Sequence, residues 1–264
     1  MSAAGAWQSV AAPGGAIRVL TLAPATPPPW PGLMLIHAVL GIDAHLESLA
    51  AEFAASGYFT AVPDLYTNDS GYRQHRPEDI EIAAHFGRDA AKLAAALAGH
   101  PLAERQAIQA ARQWMDRRAS HLYIDLVHAA FDWLRGSSDI RATGALGFCM
   151  GGRLVGELAA TGADLEAGVI HYGAPPDLAS VPQIRCELEG HYASRDPGIT
   201  QRVPAFAAAM KAAGKAFTSY IYEADHGFSL APGGPSHDAA SAQLAMARSK
   251  AFLAAALKPA MGAA

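Results

Sequence analysis

The sequence predicts an α/β fold, a mostly parallel central sheet covered by helices on both faces. Three observations carry that expectation. Short apolar or β-branched runs alternate with segments of helical spacing, and strands alternating with helices build parallel sheets through crossover connections. The run Leu33 to His37 is apolar without alternation, as a strand buried on both faces requires. The length of 264 residues suits one α/β domain spanning 1–264 and is short for two.

Taken in order, Ile17 to Leu22 reads as an early strand, followed by a proline-rich turn from Pro24 to Pro31. After the strand Leu33 to His37, Ala44 to Ser56 carries Leu46, Leu49, Ala50 and Phe53 on one helical stripe, and Gly57 stops it. Phe59 to Val62 is the next strand and ends at Pro63-Asp64. Helical spacing returns at Ile80 to Leu97 and Leu102 to Arg118, divided by Gly99-His100-Pro101, and again at Leu122 to Leu134. Gly144 to Phe148, Val169 to Tyr172, Ile184 to Glu189 and Phe217 to Tyr222 read as strands, and Ala239 to Leu257 as the closing helix. No glycine-rich phosphate turn follows the first strand, which argues against a dinucleotide-binding domain of the same architecture.

Composition narrows the function classes. A hydrophobic fraction of 51% with 17% charged residues fits a globular chain, and the net charge of -4 offers no basic face to nucleic acid. No stretch of about 20 apolar residues exists to span a membrane. Met1 to Gly15 lacks the basic-then-apolar order of an export signal, so a cytoplasmic location is expected. In that reducing compartment Cys149 and Cys186 are expected as free thiols, Cys186 packed within its strand.

The most specific local feature is Gly147-Phe148-Cys149-Met150-Gly151-Gly152, between a predicted strand and a predicted helix. It has the G-x-nucleophile-x-G form of a nucleophile elbow, with cysteine where serine is commoner. A sharp strand-to-helix turn forces the central residue into an unfavourable backbone conformation, and flanking side chains would collide. The helix N-terminus places backbone N–H groups and a positive dipole end beside the sulfur, which favours a thiolate and a developing oxyanion. A base and an orienting acid should follow downstream. His226 in Asp225-His226-Gly227-Phe228 comes after the last predicted strand, and Asp196 in Ser194-Arg195-Asp196-Pro197 after the one before it. Alone, His226 reads equally well as a loop histidine and Asp196 more often as a turn or N-cap residue; together, in that order and at strand ends, they predict a Cys149–His226–Asp196 triad.

Over nearly its whole length the chain resembles the dienelactone hydrolase family of the α/β-hydrolase superfamily. The resemblance rests on Pro63-Asp64-Leu65-Tyr66, the Gly-Phe-Cys-Met-Gly-Gly elbow, Asp196 within Ser-Arg-Asp-Pro, and His226-Gly227-Phe228 with the final helix. It implies an α/β-hydrolase fold and a cofactor-free enzyme that cleaves a small ester or lactone through a thioester on Cys149. It also implies oxyanion donors at the backbone N–H groups of Met150 and Val39. Two departures stand out. Ala38 occupies the position where characterised members carry a glutamate that hydrogen-bonds the resting thiol, which leaves activation to His226 and the helix N-terminus. His37, next to it, is a candidate to substitute in part for the missing acid. The family's substrate-carboxylate arginine shortly after the catalytic histidine has no counterpart in His226-Gly227-Phe228-Ser229-Leu230.

Candidates for substrate contact are therefore His37, Ala38, Arg73, Arg153 and Phe228, with Arg76, Arg117 and Arg118 weighed as surface residues of the segment 72–120. That segment reads as a helical insertion, a lid over the site or equally a peripheral decoration or homodimer contact. His121, Asp125 and His128 share one helix face at i, i+4 and i+7 and could hold a metal; a solvated polar stripe is the plainer reading, and no metal is assigned. A non-catalytic ligand-binding protein and a redox-sensing thiol are the alternatives to a hydrolase.

Overall fold

The computed structural model describes residues 5–86, 90–117 and 120–258. Strands β1 (Ala6–Ala12), β2 (Gly15–Leu22), β3 (Trp30–Ile36), β4 (Phe59–Pro63), β5 (Ile140–Phe148), β6 (Ala167–His171), β7 (Glu187–Ala193) and β8 (Phe217–Tyr222) form one sheet. Its order is β1-β2-β4-β3-β5-β6-β7-β8. The β1–β2 and β2–β4 pairs are antiparallel, and every pair from β4 to β8 is parallel. The chain belongs to the α/β class the alternation predicts.

Helices α1 (Ala44–Ala55), α2 (Pro77–Phe86), α3 (Ala90–Leu97), α4 (Leu102–Arg117), α5 (Ser120–Arg135), α6 (Met150–Ala160), α7 (Pro197–Thr200), α8 (Val203–Ala212) and α9 (Ala239–Leu257) connect and cover the strands. The unbroken apolar run of β3 is divided between two cores. Met34 and Ile36 join α5, α6 and α8 on one face; Leu33 and Leu35 join α1 and α9 on the other. Successive side chains of a strand point to opposite faces, so a doubly covered strand needs apolar residues at every position. Asp43 caps α1 by accepting from the Leu46 N–H at 2.8 Å, and Asp238 caps α9 through the Ser241 N–H at 2.8 Å.

Several expected boundaries move. β1 lies within Met1 to Gly15, where no strand is expected from the sequence: it is mostly exposed, so it lacks an apolar stripe, and it is held by its hairpin partner β2. The strand expected at Ile184 to Glu189 runs instead over Glu187–Ala193, after a 3-10 turn at Leu178–Gln183. Glu189 and His191 are polar yet buried in β7, which hid the apolar pattern, and Cys186 is a buried thiol just before the strand rather than inside it. Ile80 to Leu97 contains the end of α2 and all of α3, and Arg118 lies outside the described residues. No helix among the described residues is long and apolar enough to cross a membrane.

The loops after β3, β5, β7 and β8 all emerge at the carboxyl edge of the parallel strands. β3 lies between β4 and β5, where the strand order changes direction, and crevices at such switch points bind ligands in open α/β sheets.

Candidate active site

Cys149 stands between β5 and α6 with φ 53° and ψ -110°, a left-handed conformation rare for a residue with a Cβ. The surrounding glycines make this turn sterically feasible. A Cβ on Gly147 would lie 2.2 Å from the Gly151 carbonyl oxygen, and one on Gly151 would lie 2.2 Å from the Ile36 carbonyl oxygen. The Cys149 N–H donates to His171 O at 2.9 Å, fastening the elbow to β6. Met150 opens α6, which puts its N–H at the positive end of the helix dipole, beside the sulfur.

His226 follows β8, in a loop turned by Gly227 at φ 88°. Its Nε2 lies 3.0 Å from Cys149 Sγ, and its Nδ1 lies 2.6 Å from Asp196 Oδ2. Asp196 occupies the N-cap position of α7, yet its side chain makes no capping hydrogen bond and turns to the imidazole instead. Desolvation alone would push the His226 imidazole down. The charge of the facing sulfur and the hydrogen bond that His226 donates to Asp196 outweigh it and carry the group up to about 9. Sulfur, imidazole and carboxylate in this line can pass a proton from thiol to ring and hold the resulting cation. The flanking residues are tied as well: Arg195 donates twice to Asp225, at 3.1 and 3.0 Å.

The three residues open into a cavity of about 750 Å³. Of the five substrate-contact candidates, Ala38 and Arg153 line it, together with Val39 and Met150, the expected oxyanion donors. Three other candidates do not. Phe228 is fully buried, packed on Tyr172 and Tyr222; His37 is 1% exposed beneath the loop after β3; Arg73 donates to the Thr67 carbonyl on the outer surface. Arg76 pairs with Asp79 at 2.8 Å, and Arg117 donates to the Gln113 carbonyl at 3.1 Å, both away from the cavity. The His121 side chain lies outside the described residues, so the His121, Asp125 and His128 stripe is not placed by the structure.

The cavity wall also contains groups that sequence reading did not single out. Tyr172 ends the β6 segment at φ 39°, with its ring edge-on to His226 at 5.2 Å. Arg112, Arg195 and Arg202 bring guanidinium groups to the wall. Arg112 and Arg195 have close carboxylate partners, whereas Arg202 donates to the Pro175 carbonyl at 3.3 Å and lies 4.0 Å from exposed Asp177. Nothing local marks Arg112 and Arg202, because α4 and α8 reach the site only through tertiary packing, whereas Arg195 adjoins Asp196. Tyr172 did carry a signal, the end of a predicted strand facing the elbow.

A cysteine elbow at the carboxyl edge of a parallel sheet, with histidine and aspartate on the following strand-end loops, defines an α/β hydrolase. Residues 17–257 match the model of the dienelactone hydrolase family, and the chain belongs to that family. By that membership it is a carboxylic ester or lactone hydrolase. Two curated relatives are each named "Putative carboxymethylenebutenolidase". The one from Methylorubrum extorquens is 26% identical over 81% of this chain and 68% of its own length; the one from Escherichia coli K12 is 26% identical over 81% and 73%. Among solved structures, a dienelactone hydrolase-like promiscuous phosphotriesterase from metagenomic libraries superposes with a TM-score of 0.72 at 18% identity, covering 97% of this chain and 99% of its own.

Proposed function

We propose that the chain hydrolyses a small ester or lactone through a thioester on Cys149, with His226 as base and acid and Asp196 as the orienting carboxylate. The observation that carries this reading is the continuous line from Cys149 Sγ through both nitrogens of His226 to Asp196, at 3.0 and 2.6 Å. His226 holds the Cys149 proton, and the thiolate attacks the carbonyl carbon. The N–H groups of Met150 and Val39 hold the oxyanion. Collapse breaks the bond to the leaving oxygen, which receives the proton from His226, and leaves an acyl-sulfur bond. Water then gives a proton to His226 and attacks the thioester; collapse releases the acid and restores the thiolate–imidazolium pair. No residue in this scheme needs a cofactor.

With alanine at position 38, no side chain there holds the resting thiol, so the proton rests on His226 between turnovers. The segment 72–120 serves as a roof: α2 supplies Glu81, Ala84 and Phe86 to the cavity wall, and α4 supplies Met115 and Asp116. His85 of α2 meets Ser236 of the His226 loop at 2.7 Å across the mouth. The test is turnover of short aryl esters, simple lactones and dienelactone by wild type and Cys149→Ala. Wild type should turn over at least one class and release acid; Cys149→Ala should lose it by at least about three orders of magnitude. Full activity in Cys149→Ala would overturn the thioester.

A further inference from the structure

His37 is buried beneath the loop that follows β3 and is absent from the walls of the cavity, yet both its ring nitrogens are engaged. Nδ1 lies 2.6 Å from the Ala38 carbonyl oxygen, and Nε2 lies 3.2 Å from the Leu65 N–H. A carbonyl can only accept and an N–H can only donate. The two partners therefore fix the ring as the Nδ1–H tautomer, with Nε2 accepting. The Ala38 carbonyl and the Val39 N–H belong to the same planar trans peptide unit and point in opposite directions. That oxygen accepts from the Gly41 N–H at 3.2 Å as well as from His37 at 2.6 Å, the shorter bond, and its donors set the plane in which the Val39 N–H points. They also polarise the amide, which strengthens the N–H as a donor.

The next two carbonyls of the loop are held in the same way. Tyr66 Oη donates to Val39 O at 3.0 Å, and Tyr72 Oη donates to Leu40 O at 2.6 Å. Tyr66 packs against His37 at 4.9 Å and stacks on Tyr72 at 4.3 Å between ring centroids. Side chains thus hold three consecutive carbonyls, and the first belongs to the peptide unit that supplies the oxyanion donor. We propose that His37 is a positioning residue for the oxyanion hole, aiming the Val39 N–H through its bond to the Ala38 carbonyl. The proposal rests on the thioester reading above, in which Val39 is one of the two donors.

Two substitutions separate the bonds His37 makes. His37→Asn keeps an N–H donor near the Nδ1 position and loses the acceptor for Leu65. His37→Gln keeps an acceptor near the Nε2 position and loses the donor to Ala38. Each deletes one buried hydrogen bond, so a merely structural role would penalise both alike. Turnover of an aryl ester is read beside the rate of Cys149 alkylation by iodoacetamide, a displacement at a saturated carbon that forms no oxyanion. We expect His37→Gln to lose about 30-fold in kcat with KM within about twofold and the alkylation rate unchanged, and His37→Asn to stay within about threefold of wild type. Equal loss in the two variants, or alkylation falling in step with turnover, would overturn the proposal. Wild-type turnover that survives complete alkylation of Cys149 would instead overturn the thioester reading beneath it.

Discussion

Nε2 of His226 stands 3.0 Å from the sulfur of Cys149, close enough for one proton to belong to either atom. The facing sulfur and Asp196 carry the imidazole up to about 9 against its burial, so the ring holds a proton at neutral pH; in the proposed mechanism the sulfur opposite it is then a thiolate. The ring stays protonated as pH falls from about 9 through neutrality, and on that reading the thiolate facing it persists over the same range, the pair titrating as a unit. Alkylation of Cys149 should therefore change less than about threefold between pH 6 and pH 8. In His226→Ala the thiol returns to an ordinary value near ~8.5, and alkylation at pH 6 should fall by about 100-fold. A wild-type rate that climbs tenfold per pH unit toward 8.5 would show a resting thiol instead.

In the proposed mechanism Asp196, 2.6 Å from Nδ1, fixes the tautomer of His226 and balances the imidazolium. Asp196→Asn preserves size but presents either a neutral acceptor or a donor facing the Nδ1 proton. We expect kcat/KM to fall on the order of 100-fold with little change in thermal midpoint, measured at the pH of maximal wild-type activity. A drop in stability as large as the drop in activity would make Asp196 mainly a structural tie between the loops after β7 and β8.

Gly151 has no room for a side chain, since a Cβ would lie 2.2 Å from the Ile36 carbonyl and 2.7 Å from the His37 carbonyl, both backbone atoms. Gly151→Ala should therefore cost more than about 3 kcal/mol of stability by urea unfolding, as β3 and α6 are forced apart. A cost under about 1 kcal/mol would mean that the elbow can shift.

These glycines explain why the elbow was legible in the sequence: the strain is local, and its compensation is written within six residues. Cys149, Asp196 and His226 could be picked out because order along the chain maps onto adjacent strand ends in a parallel sheet. The cavity wall was not legible in the same way. Arg112 and Arg202 arrive from helices whose own patterns describe only their packing, and His37 and Phe228 flank the motifs that drew attention to them but point into the core. The expected bounds of β7 differ from the observed ones because its buried face includes Glu189 and His191, which pair with each other, and His191 is further satisfied by Ser249 and Tyr222, far along the chain.

Phe86 ends α2 on the cavity wall, opposite the strand-end loops. If the segment 72–120 is a roof, Phe86→Ala should admit bulkier acyl groups. The ratio of kcat/KM for a branched-chain aryl ester over an aryl acetate should rise about tenfold. An unchanged ratio would assign α2 to the periphery.

The buried polar cluster under α9 makes stability depend on acid. The rings of His171 and His191 lie 4.6 Å apart, both fully buried, with Ser249 Oγ 3.0 Å from Nε2 of the first and 2.9 Å from Nε2 of the second. Glu189 Oε1 lies 2.9 Å from His191 Nε2, the Tyr222 hydroxyl 2.9 Å from His191 Nδ1, and Ser229 Oγ 3.0 Å from His171 Nδ1. Arg248 reaches the same Tyr222 hydroxyl at 3.1 Å. Burial, with His191 beside it, holds His171 well below the ordinary histidine range; burial also lowers His191, against the pull of Glu189. The unfolded chain takes up these protons near pH ~6.5 and the native state only at lower pH, so the stabilisation is complete above about 6.5 and is lost as pH falls below it. Urea unfolding from pH 7 to pH 5 should lose up to about 1.4 kcal/mol per pH unit for each histidine. His171→Phe removes one titrating group and should flatten that slope whatever its effect on stability at pH 7; an unchanged slope would place the acid sensitivity elsewhere.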